Sequence, residues 1–144
     1  MALENWFQAG KLVKHTTSRE ELDAIFGVIN RNFEDASLKG LSADQKYILS
    51  YQAAFEAGSA LIHCYGYKAI KTGHHYITWQ CVRDLTGDEN RKAVLLFENA
   101  AKKRSKLSYD ISGLASQKEA DELYEEARDF VEFIKCKISE FEIK

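Results

Sequence analysis

The sequence contains no proline, a single methionine and three cysteines in 144 residues. Without proline, no helix has to be kinked or broken for want of an amide donor. Cys64, Cys81 and Cys136 are odd in number, widely spaced and set among apolar residues, and they form no CxxC pair. That pattern argues against a disulfide framework or a thiolate zinc cage and for packed free thiols in a reducing compartment. Long apolar runs are missing too, and the start, Met1-Ala2-Leu3-Glu4-Asn5-Trp6, has neither a basic stretch nor an apolar core. No signal peptide or membrane span is therefore expected, and a cytoplasmic location is. Excess charge is also lacking: a net charge of -2 argues against a generally basic nucleic-acid coat, so any anion site must come from local clustering of Lys and Arg.

What is present is enough apolar material for one core, 45% hydrophobic and 12% aromatic residues, which suits a single domain over residues 1–144. Glycines fall mainly between segments of helical periodicity, so the expected class is all-α. Ser18-Arg19-Glu20-Glu21, Ser42-Ala43-Asp44-Gln45 and Ser116-Gln117-Lys118-Glu119 read as capping boxes. Each precedes an apolar series at steps of three or four: Leu22, Ile25, Phe26, Ile29 and Phe33; then Ile48, Tyr51, Phe55, Gly58 and Ile62; then Leu123, Ala127, Phe130, Ile134 and Ile138. Further helices are expected near Leu3 to Lys14, His75 to Leu85, and Asp88 to Ser108 with Asp88 as N-cap, and Gly66 to Gly73 reads as a loop. Apolar stripes must be covered, so the segments should form an up-and-down antiparallel bundle of about five to six helices.

The densest chemistry lies where the apolar pattern of the fifth segment stops, at Lys102-Lys103-Arg104-Ser105-Lys106-Leu107-Ser108-Tyr109. Two readings compete. Cations in the last turns of a helix are favoured by the macrodipole and need no ligand. Alternatively, they form a phosphate-attracting site. The segment resembles the functional motif of the HEPN family (higher eukaryotes and prokaryotes nucleotide-binding domains), an Arg followed by a polar residue and, four to six residues on, a His; here Arg104 and Ser105 match and Tyr109 stands at the His position. The resemblance extends along most of the chain, through Leu3-Glu4-Asn5, Gly10-Lys11-Leu12, Gly40-Leu41-Ser42, Tyr51-Gln52-Ala53-Ala54, Gly66-Tyr67, Gly73-His74-His75 and Glu119-Ala120. The chain thus resembles stand-alone bacterial HEPN proteins.

Membership implies a helical bundle that usually dimerises so that two motif helices line one groove. It also implies RNA or nucleotide as ligand, a toxin-like or defence role, and a nucleotidyltransferase as a partner worth considering. Metal-independent RNA cleavage needs a cation at the phosphate, which Arg104 supplies, and a group that moves protons near neutral pH. Tyr109 supplies the second poorly, since a phenol with a pKa of about 10 is a weak base at pH 7. Arg104 and Tyr109 also stand about 140° apart around an ideal helix. The expectation is thus an RNA- or nucleotide-binding protein with a degenerate ribonuclease motif and weak or absent cleavage, or a non-enzymatic dimerisation or adaptor module that has lost it. No cofactor or metal is expected.

His74 and His75 form a second constellation, following Lys68, Lys71 and Thr72 and opening a helix whose first amides can hold an anion. If this loop approaches Arg104, His74 or His75 would replace the missing motif His. The binding set is accordingly Lys102, Lys103, Lys106, His74 and His75 around Arg104, Ser105 and Tyr109. His63 reads as a satisfied core or interface histidine, His15 has no discernible role, and Glu122, Glu125, Glu126 and Asp129 are spaced as a solvated face. A homodimer is expected from the resemblance and from Trp6, Phe55, Trp79 and Phe97, more ring area than a small bundle easily hides.

Overall fold

The computed structural model describes residues 2–109 and 113–144 and is all-α apart from one small two-stranded sheet. In chain order the elements are α1 (Ala2–Gln8), β1 (Leu12–Lys14), α2 (Arg19–Ala36), α3 (Ala43–Cys64), β2 (Tyr67–Ala69), α4 (His74–Thr86), a short 3-10 turn (Gly87–Asn90), α5 (Arg91–Tyr109) and α6 (Gln117–Ile138). The expected bundle is therefore present.

Helix α3 is its axis, packing against α2, α4, α5 and α6. A single apolar stripe understates it: Tyr47, Ser50, Ala53, Ala57, Ala60 and Leu61 are buried alongside Tyr51, Phe55, Gly58 and Ile62, so nearly every face is covered. Small residues permit this, because an Ala or Gly lets a neighbouring helix approach closely. By contrast α2 and α6 bury one face each, Leu22, Ile29 and Phe33 on the first and Leu123, Ala127, Phe130, Ile134 and Ile138 on the second. Trp79, Phe97 and Phe130 meet with ring centroids 5.0 to 5.7 Å apart at the centre of the core.

The capping boxes differ in execution. At α6 the box is reciprocal, with the Ser116 hydroxyl accepting from the Glu119 amide and Glu119 accepting from the Ser116 amide. Ser42 caps α3 and Ser18 caps α2 from their side chains alone. At α2 the carboxylate that would close the box, Glu21, turns instead to Thr17 and His15.

Three boundaries depart from expectation. The first helix stops at Gln8, because Gly10 takes a left-handed φ of 78°, and the chain continues as β1. The Gly66–Gly73 segment holds β2, which pairs antiparallel with β1 in the register Leu12↔Ala69, Val13↔Lys68, Lys14↔Tyr67. Three-residue strands leave too short an alternation to distinguish from loop. Asp88 lies within the 3-10 turn and does not cap α5. Among the described residues no helix is long and apolar enough to cross a membrane.

Candidate functional site

The left-handed Gly73, φ 73°, ends the β2–α4 connection and starts α4 without a side-chain cap. His74 and His75 are thus the first residues of the helix. His74 Nδ1 donates to the Lys71 carbonyl at 2.9 Å, since a carbonyl can only accept. Its ring meets the Phe55 ring edge-on at 5.5 Å and the His75 ring at 4.4 Å. His75 lies flat on Phe55, with centroids 4.1 Å apart, and this ring cluster anchors the start of α4 to the middle of α3.

Below the cluster runs a hydrogen-bond chain. The Trp79 indole N–H donates to the Tyr51 hydroxyl at 3.0 Å, and that hydroxyl, wholly buried, is hydrogen-bonded to His75 Nδ1 at 2.6 Å. Indole can only donate, so the Tyr51 oxygen accepts from Trp79, and its own proton goes to His75 Nδ1 when the imidazole proton sits on Nε2. Burial, with His74 and Arg104 acting in the same sense, pushes the His75 pKa down to about 4. Burial also raises the Tyr51 phenol well above its ordinary value, against the indole bond and the Arg104 charge.

Arg104, on α5, acts on this cluster through its charge. Its charge acts on both His75 and Tyr51, and its Nε is buried without a hydrogen-bond partner among the described residues. The charge of Arg104 thus acts on a histidine 29 positions earlier in sequence, counting from His75 to Arg104. A cavity of about 250 Å³ opens beside His75, lined by His75, Tyr76, Trp79, Glu98, Ala101 and Lys102. Its walls are mostly apolar, with Lys102 and the Glu98 carboxylate at the margin.

The remaining cations divide. Lys103 Nζ donates to Glu119 Oε2 at 2.7 Å and lies over the Tyr47 ring, so it braces α5 against α6. That bond, with the Ser116 amide, holds the Glu119 carboxyl down at about 2. Lys106 and Lys102 are exposed and share a shallow second depression with Asn99 and Leu114. Ser105 is exposed. The side chain of Tyr109 lies outside the described residues.

Elsewhere the thiols split. Cys81 is buried and Cys64 half-buried, with burial pushing their pKa values to about 12 and about 11, but Cys136 is exposed and is no packed thiol. The helical spacing of α6 sets Cys136 beside the buried Ile134 and Ile138 without placing it on their face. The acidic set Glu122, Glu125, Glu126 and Asp129 is solvated as expected. A cleft of about 300 Å³ between α2 and α6 has its main cation, Arg128, engaged over the Phe33 and Tyr124 rings.

His15 and His63 overturn the expectations made of them. The sheet carries His15 to the end of α3, where its amide donates to the Gly66 carbonyl at 2.9 Å. Its ring stands 4.5 Å from that of His63, with Glu21 between. His63 faces Glu21 instead, with its buried Nδ1 3.4 Å from Glu21 Oε1 and outside good hydrogen-bond geometry. No spacing rule links positions 15, 21 and 63, which the β1–β2 pairing and the packing of α2 on α3 bring together.

Comparison with protein-family models, curated proteins and solved structures returns no match to this chain.

Proposed function

We propose that this protein binds RNA or a nucleotide at the junction of α4 and α5 through a HEPN-like motif whose ribonuclease chemistry is degenerate. The single observation that carries the reading is that the Arg104 charge acts on His75 at the start of α4, where a cavity of about 250 Å³ opens. A half-buried guanidinium with an unpartnered Nε offers a phosphate a charged donor in a partly dry setting. The uncapped amides of α4 point their partial positive charge at the same turn. The exposed Tyr76 ring at the cavity wall suits a base face.

The proton chemistry favours binding over cleavage. His75 is neutral at pH 7, which a general base requires, but its Nδ1 is engaged by Tyr51. In the tautomer that accepts from Tyr51, Nε2 carries the proton and the ring presents a donor where a base is needed. A toxin-like or defence role belongs to this reading. So does a homodimer in which the exposed Tyr76 of α4 and Leu95 and Leu96 of α5 sit at the two-fold axis. The adaptor alternative gains from the same donor arrangement, and differs in requiring no RNA affinity.

Titration of labelled single-stranded RNA at two salt concentrations is the test. Arg104→Ala should weaken binding about tenfold or more, and Lys102→Ala should weaken it less and reduce the salt dependence. Equal, salt-insensitive affinity in all three proteins would leave the cations as an ordinary helix end. With excess chelator, wild type should cleave little and Tyr109→His should cleave more; robust wild-type turnover abolished by Arg104→Ala would overturn the degenerate assignment.

A further inference from the structure

The structure assigns a second site, independent of the first: we propose that His15, Glu21 and His63 bind one divalent transition-metal ion of the zinc class. Nitrogen and oxygen donors from three separate elements meet here. His15 follows β1, Glu21 lies in the first turn of α2 and His63 in the last turn of α3. One ligand atom from each lies within 4.8 Å of the others. His15 Nε2 is 2.8 and 3.0 Å from the two Glu21 oxygens, and His63 Nδ1 is 3.4 Å from Oε1. Ligand atoms on a tetrahedral zinc with bonds of about 2.0 to 2.1 Å stand about 3.3 to 3.4 Å apart, so small side-chain shifts complete the set.

The arrangement is hard to account for as hydrogen bonding alone. Glu21 Oε1 already accepts from Thr17 at 2.6 Å and from His15, which occupies its lone pairs and leaves His63 Nδ1 orphaned in a buried position. Glu21 also forgoes the Ser18 amide that would close its capping box. A cation between the three resolves the orphaned nitrogen. Coordination through His15 Nε2 moves that ring's proton to Nδ1, with none lost.

Two imidazoles and one carboxylate select zinc-class ions over calcium or magnesium, which prefer oxygen. Three protein ligands leave a fourth position open, as in sites that hold water or a small ligand. A cavity of about 240 Å³ lined by His15, Thr16, His63, Cys64 and Gly66 lies alongside to receive it.

The test uses the full chain, stripped with chelator and titrated with Zn²⁺ alone by calorimetry. One ion per chain is expected, with affinity at least tenfold lower in Glu21→Gln and in His63→Gln and unchanged in Cys136→Ser. Ring-nitrogen NMR of wild type needs no substitution: the His15 and His63 signals should move on adding Zn²⁺ while those of His74 and His75 do not. Absence of saturable binding, undiminished binding in both Gln variants, or movement of His74 and His75 instead would overturn the site.

Discussion

His75 concentrates the residue-scale physics of the α4–α5 junction. Tyr51 from α3 and His74 contact its ring, Arg104 on α5 acts on it through its charge, and its folded pKa of about 4 lies below the ordinary 6.5. Between those values the unfolded chain binds a proton that the folded chain refuses, so stability is full above pH 6.5 and declines as pH falls toward 4. The full shift is discounted because part of the ring meets solvent, leaving a loss of about 1 to 2 kcal/mol. Denaturant melts of wild type and His75→Asn at pH 7.5 and 4.5 measure it, and the variant should lose about 1 kcal/mol less. Identical losses would place the acid sensitivity elsewhere, with His63 shifted in the same direction.

At the scale of elements, the approach of α4 to α3 depends on one missing side chain. A Cβ at Gly58 would stand 3.1 Å from Val82 Cγ2 and 3.4 Å from Thr78 Cγ2. Alanine gains about 1 kcal/mol of helix propensity over glycine and loses a comparable amount to that contact, so Gly58→Ala should stay within about 1 kcal/mol of wild type. Gly58→Leu has no room and should cost about 2 to 3 kcal/mol by urea denaturation. Its consequence reaches the site, because α4 carries both His75 and Trp79. If Gly58→Leu melts like wild type, the helices do not approach as closely as the contact requires.

For the whole molecule, ring burial gives no reason to dimerise. Trp79, Phe97 and Phe55 are covered within one chain, and Trp6 is half-buried with its indole donating to Asp84 at 2.8 Å. The dimer expectation instead concerns the outer faces of α4 and α5, where Tyr76 is 64% and Leu95 57% exposed. Sedimentation velocity at micromolar concentration should show a dimer, and Leu95→Glu should convert it to monomer by placing an uncompensated charge at a two-fold contact. A strictly monomeric wild type would remove the shared groove and leave each α4–α5 junction to bind alone.

Helices α2, α3 and α6 and their starts were legible in the chain alone, because an N-capping Ser and an apolar repeat at three and four residues are local properties that fold into helix wherever they occur. The cationic run ending α5 was legible for the same reason. The two short strands were not, since a pairing of three residues exists only once its partner is beside it. Tertiary structure likewise decided which residues share a site. Packing of α4 and α5 on α3 put the Arg104 charge within reach of His75 and took Lys103 away to Glu119, while the β1–β2 register laid His15 over His63. Such meetings depend on side chains far apart in sequence converging as the core closes, and no local period encodes them.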